Sequence, residues 1–284
     1  MGQGPLQMIE RLKDLWLHRE LLWNMTVKEL KVKYKRSVLG FLWSFMNPLI
    51  MLAVFSLVFT ILVKNNEMQW FVVYLMSGLL TWLFFVNSLM QSVGCVVGNA
   101  GLVKKVYFPR EILPLAAVGA NIFHFVMQML VFFVFLLVIG WHFSIYILFF
   151  PLVMLLEIVF TLGLCLFFSA ANVYLRDVQH FVEVATMAWF WLTPIVYMIG
   201  MVMNRLGAWY RVYLLNPVTN IVELWQFIIY NPHHYAPKTY LAGHARANYI
   251  SFWAVFYTCI VSVALLVLGY LYFTRRERGF AEQI

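Results

Sequence analysis

Six long apolar runs, separated by short polar stretches, dominate the chain between residues 38 and 273. They fall near 38–63, 70–97, 112–139, 145–169, 179–199 and 250–273. Each is long enough to cross about 30 Å of hydrocarbon at about 1.5 Å per helical residue. Lipid offers no partner to a free backbone N–H or C=O, so runs of this length predict helices. Ahead of them, Leu6, Ile9, Leu12, Leu15, Trp16 and Trp23 recur at helical spacing, with Gln7, Glu10, Lys13, Asp14 and His18 between. That pattern predicts an amphipathic helix over 6–22, suited to the headgroup plane.

The stretch 200–248 contains a further short apolar run. Asn216 reads as an N-cap and Pro217 as the first helical position, and Asn231-Pro232 ends the run. About 14 residues are too few to span a bilayer, so the length predicts a re-entrant or interfacial helix. The expected fold is therefore an all-α membrane protein forming one domain over 1–284. It has six transmembrane helices, an N-terminal interface helix and short helical segments before the last span.

Composition agrees. Hydrophobic residues make up 63% of the chain and charged residues 11%, against about 45–50% and about 25% in soluble domains. The net charge of +8 changes meaning once the charges are located. Fifteen of the 20 Lys and Arg residues fall before the first run, after the second and fourth, or after the sixth. That asymmetry places both termini in the cytoplasm. It also accounts for the basic balance without nucleic acid as a partner. Cys95, Cys165 and Cys259 lie far apart within or at the ends of apolar runs. They match no metal spacing and predict no disulfide.

The chain has no Gly-x-x-x-x-Gly-Lys-Ser/Thr loop, no His-Glu-x-x-His pair and no Gly-x-Ser-x-Gly elbow. No catalytic residue, metal site or bound cofactor is expected in it. Charges inside the runs are costly and mark positions of interest. Glu157, in the fourth run, either faces a polar path or hydrogen-bonds a neighbouring helix; His124, in the third, reads as a buried, satisfied histidine. Trp43 in the first run and Trp189, Trp191 and Tyr197 in the fifth carry aromatic faces. Such faces either stack on sugar rings or pack against lipid. The basic stretch from Lys28 to Arg36 either receives a lipid-linked pyrophosphate or anchors on anionic lipid.

Particular segments carry a family resemblance. Lys31 to Trp43, reading KVKYKRSVLGFLW and followed by Asn47-Pro48, is similar to the entrance to the first span of ABC-transporter permeases that export polysaccharides. NAGLVKKVYFPREILP over 99–114 resembles their loop after the second span, and NVYLRDV over 172–178 their loop after the fourth. Asn216-Pro217 fits their last external segment. Members export O-antigen, capsular polysaccharide or wall teichoic acid on a lipid carrier. The sequence as a whole most resembles the wall teichoic acid exporters of Gram-positive bacteria.

The resemblance implies a homodimer in the bacterial cytoplasmic membrane with two copies of a separate ATPase subunit, which binds ATP and Mg. Residues 99–107 would couple to that subunit through Asn99, Leu102, Val103, Lys104, Lys105 and Tyr107. Tyr174, Arg176 and Asp177 would add a second contact. The lipid-linked polymer would enter near Tyr34, Lys35 and Arg36 and pass Trp43, Trp189, Trp191 and Tyr197. The helix holding Asn216, Pro217, Glu223 and Trp225 would serve as an external gate.

Other classes predict other features. An ion-coupled secondary transporter would use Glu157, but predicts inverted repeats that the sequence lacks. A membrane glycosyltransferase or acyltransferase predicts clustered acids or histidines at one membrane face, and those here are scattered. A drug or small-lipid ABC exporter shares the architecture.

Overall fold

The computed structural model describes residues 13–33, 37, 40–59, 70–230 and 251–284, without the side chains of 41, 203, 204 and 208. Every regular element among them is helical. In chain order these are α1 (Arg19–Lys33), α2 (Trp43–Leu57), α3 (Phe71–Gly98), α4 (Ala100–Lys105), α5 (Ile112–Val138) and α6 (Phe150–Tyr174). They are followed by α7 (Asp177–Trp191), α8 (Ile199–Leu206), α9 (Tyr210–Tyr213), α10 (Pro217–Tyr230), α11 (Phe252–Arg276) and α12 (Phe280–Gln283).

Among the described residues, four helical stretches are long and apolar enough to cross a membrane: Phe71–Gly98, Ile112–Val138, Ile145–Tyr174 and Phe252–Gln283. Helices α2 and α7 are 15 residues each. The expected fifth run, 179–199, is helical only as far as Trp191. Thr193-Pro194 then breaks the helix, because proline lacks an N–H and its ring crowds the preceding turn. The chain continues beside α3 without helix: Tyr74 Oη of α3 donates to the Tyr197 carbonyl at 3.3 Å.

α3 is the axle of the bundle. Its most apolar 18-residue window is 83% buried, and α5, α6, α7 and α10 pack around it. α11 lies along α6 at close range. A Cβ added at Gly163 would meet the Leu265 backbone at 2.6 Å, and Gly269 faces Gly163 in the same way. Hydrocarbon supplies no hydrophobic drive between helices, so close backbone approach at small residues holds such a pair together.

The two ends of the bundle differ. At one end lie α1, α4, the 175–176 turn and the C-terminal residues 277–284, packed on a cluster that includes Val96, Val103, Phe108, Ile112, Val173, Phe273 and Phe280. At the other lie the start of α3, the end of α5, α8, α9 and α10. α1 and the C-terminal residues therefore share an end. Of the expected 6–22 interface helix, residues 13–17 and 19–22 are helical and 6–12 lie outside the described residues. α1 runs on to Lys33 through part of the basic stretch. Trp16 and Leu17, just before α1, and Trp23 on it are exposed.

Candidate functional site

α4 is six residues long and follows α3 after a one-residue break at Asn99. The Asn99 carbonyl accepts from the backbone N–H of Leu102 and Val103. Its side chain donates back to the Cys95 carbonyl at 2.8 Å, and its Oδ1 accepts from Lys28 Nζ at 2.6 Å. The same residue therefore ends α3, starts α4 and ties both to α1. Below it, Gln91 donates to Glu29 Oε2 at 2.9 Å and accepts from Asn121 Nδ2 at 2.8 Å, joining α1, α3 and α5.

Val103 points inward and is buried, and Leu102 is half-buried. Lys104, Lys105 and Val106 face outward, and Tyr107 is 98% exposed. A rigid platform thus presents two ammonium groups and a bare phenol. Tyr174 is half-buried, and Arg176 and Asp177 are exposed at the same end.

The C-terminal residues fill the space between these two segments. Tyr174 Oη donates to the Arg276 carbonyl at 2.8 Å, and the Arg276 guanidinium lies 5.1 Å from the Tyr174 ring centre. Phe280 is fully buried beside Tyr174 and Phe273, with Arg110 over its ring at 5.9 Å. Arg110 also donates to the Glu277 carbonyl. The sequence reading missed this brace. Its one signal was Gly279-Phe280, a small residue and a large apolar one in an otherwise polar tail. Gly279 leaves the room that the Tyr174 hydroxyl occupies, since a Cβ there would meet it at 2.6 Å.

At the opposite end α10 is held on both termini and along its length. Asn216 Oδ1 accepts from the Val218 N–H at 3.2 Å and from Trp189 Nε1 at 2.9 Å. At the other terminus, Gly140 (φ +71°) ends α5 with the Trp141 N–H bonded back to the Leu136 carbonyl. This glycine-capped turn aims the Trp141 indole at the Ile229 carbonyl, 3.1 Å away. Trp225 is fully buried against Phe125 and Phe150 and donates to Glu157 Oε2 at 2.8 Å. Gln226 donates to the Pro194 carbonyl at 3.1 Å, across Gly78 of α3, where a Cβ would collide with it.

The structure thus pairs Trp189 with Asn216 and, separately, Trp225 with Glu157. Pro217 is half-buried at the start of α10. Glu223 is buried on α10, and its Oε1 has no hydrogen-bond partner among the described residues; neither does Glu157 Oε1. Burial raises the pKa of Tyr210 and Tyr213, and the contact with Tyr197 raises that of Tyr213 further. Tyr197 Oη lies 2.8 Å from that of Tyr213 and donates to the Trp191 carbonyl at 2.7 Å. Trp191 is 64% exposed, while Trp189 is half-buried.

His124 is buried, with Nδ1 3.4 Å from Ser44 Oγ, so it joins α5 to α2. Trp43, next to that contact, is exposed. Tyr34, Lys35 and Arg36 lie outside the described residues. No group of three or more His, Cys, Asp or Glu suited to a metal ion occurs among the described residues.

Residues 20–230 match the family model for the ABC-2 type transporter. The chain belongs to the ABC-2 type transporter family. Its relatives are nearly its own length. It is 32% identical over 251 residues to the O-antigen export system permease protein RfbA of Myxococcus xanthus, covering 87% of this chain and 94% of that one. To proteins of the same description from Klebsiella pneumoniae it is 33% and 31% identical over 269 residues, 93% of this chain and 94% of each relative. An ABC-2 permease with apolar helices of this length is a multi-pass membrane protein, and a polysaccharide exporter is the type its relatives support.

Proposed function

We propose that this ABC-2 permease is the membrane subunit of an ATP-driven exporter that carries a lipid-linked polysaccharide across the bacterial cytoplasmic membrane. The names of all three relatives favour an O-antigen as the polymer. The wall teichoic acid expected from the sequence is the second substrate reading and has no support from those three. The exporter contains two copies of this chain and two of a separate ATPase, which binds ATP and Mg.

One observation carries the coupling role: α4 is fixed to α1, α3 and the C-terminal brace, yet turns Lys104, Lys105 and Tyr107 outward. A short stiff helix with bare cations is suited to a groove with acidic groups on a partner. In this reading α2, α3, α5, α6, α7 and α11 make six crossings, with both termini and α4 in the cytoplasm. The path runs between the two copies, along α2 and α7. Of the six, these are the crossings that the single chain leaves least covered: α7 buries only Val182 and Thr186, and α2 only Ser44, Pro48 and Leu52. α10 forms part of the gate at the far end. ATP-driven closure of the ATPase pair pushes α4, and the spans move as packed rods.

Inverted vesicles holding the permease and its ATPase test this reading. Lipid-linked polymer added outside should reach the lumen only with ATP. Transport without the ATPase, or transfer of a small lipid alone, would overturn it.

A further inference from the structure

α6 and α11 touch at Gly163 and Gly269, and nearer their N-terminal ends both contact α10. Trp225 joins α10 to α6, and Asn220 joins it to Thr258 of α11 at 2.8 Å. α10 does not fill the whole space beside them. An open groove of about 510 Å³ remains at its outer edge. Leu152, Leu155, Leu156 and Val159 of α6 form one wall; Val255, Cys259 and Val263 of α11 form the other. The floor is Leu224, Phe227 and Ile228 of α10, and Tyr146 and Phe149 close one end.

The exposed surface of this groove is entirely apolar. Water needs two or more polar partners to settle in a cavity, so it has no place here. An empty groove would forfeit the dispersion contacts of its walls. Its rim runs directly into side chains that face outward from the bundle: Leu148, Leu152 and Leu155 on one side, Phe256, Ile260 and Val263 on the other. Among the described residues, no charged residue lines the groove.

We propose that this groove is a binding site for one acyl chain of a bilayer phospholipid, which completes the packing of α10 between α6 and α11. The site belongs to the resting architecture of the chain and stands whether or not the transport reading is correct. The acyl chain wedges against Leu224 and Phe227, so it supports α10 on the face next to that of Trp225. Filling the groove with protein side chains should therefore displace lipid and leave the Trp225–Glu157 contact in place.

The test uses the full chain in phospholipid vesicles that carry a trace of phosphatidylcholine with a diazirine on its acyl chain. After irradiation, mass spectrometry locates the adducts. Label is expected on Leu224 and Phe227, which are half-buried, as well as on the exposed α5 residues Leu130, Val134 and Leu137 that report ordinary lipid contact. In a Val255→Phe, Cys259→Phe variant, label at Leu224 and Phe227 should fall several-fold while label at Leu130 is unchanged. The wild-type pattern alone is decisive if the variant fails to fold. Label confined to α5, undiminished label on α10 in a folded variant, or a peptide of a second copy cross-linked in the groove in place of lipid would each overturn the proposal.

Discussion

Two short helices sit at opposite ends of the same axle and are held in opposite ways. α4 has six residues, one of them buried. α10 has fourteen, of which eleven are buried. α4 is fixed through its ends and through Val103, and its charged residues are left bare. α10 is enclosed by α3, α6 and α11, and most of its polar side chains are matched inside: Trp225 to Glu157, Gln226 to Pro194 and Asn220 to Thr258, while Glu223 Oε1 has no hydrogen-bond partner among the described residues. A helix that must meet a partner keeps its polar surface outside. A helix that sits among other helices finds most of its polar partners there, because hydrocarbon offers none.

The contrast can be broken by substitution, beginning with the supports of α10. Gly163→Val would drive a side chain into the Leu265 backbone and part α6 from α11; the expected result is loss of folded protein in size-exclusion chromatography. Trp225→Ala removes a fully buried indole and should cost about 3–5 kcal/mol, read as a large fall in Tm in detergent. Glu157→Leu leaves the Trp225 N–H without an acceptor and should cost about 1–2 kcal/mol. Glu157→Gln keeps an acceptor and should lie close to wild type in Tm and in export. Equal losses for Leu and Gln would show that the charge of Glu157, not its hydrogen bond, matters. At the other end Tyr107→Ala should leave Tm unchanged within about 0.5 kcal/mol, since its side chain is bare.

Much of this was legible in the chain. The all-helical class follows from the length and polarity of the runs. The capping pair Asn216-Pro217 marks the residue at which α10 begins, because a side-chain acceptor and a preset φ have local causes. What stayed hidden depends on distant partners. Nothing local says that Trp225 reaches Glu157, 68 positions earlier, or that the basic stretch stays helical as far as Lys33, tied by Lys28 to Asn99. The break at Thr193-Pro194 was visible as a proline, but not that Gln226 would take up the Pro194 carbonyl it frees. Phe280 looked like part of a tail until the bundle supplied its pocket.

In the proposed exporter α4 serves a partner rather than the fold. That role is tested most directly by reversing its charges. Lys104→Glu, Lys105→Glu permease, co-expressed with the ATPase of its export system, should show an unchanged Tm, reduced co-purification of the ATPase and loss of polymer export. Wild-type complex formation together with wild-type export would contradict the account.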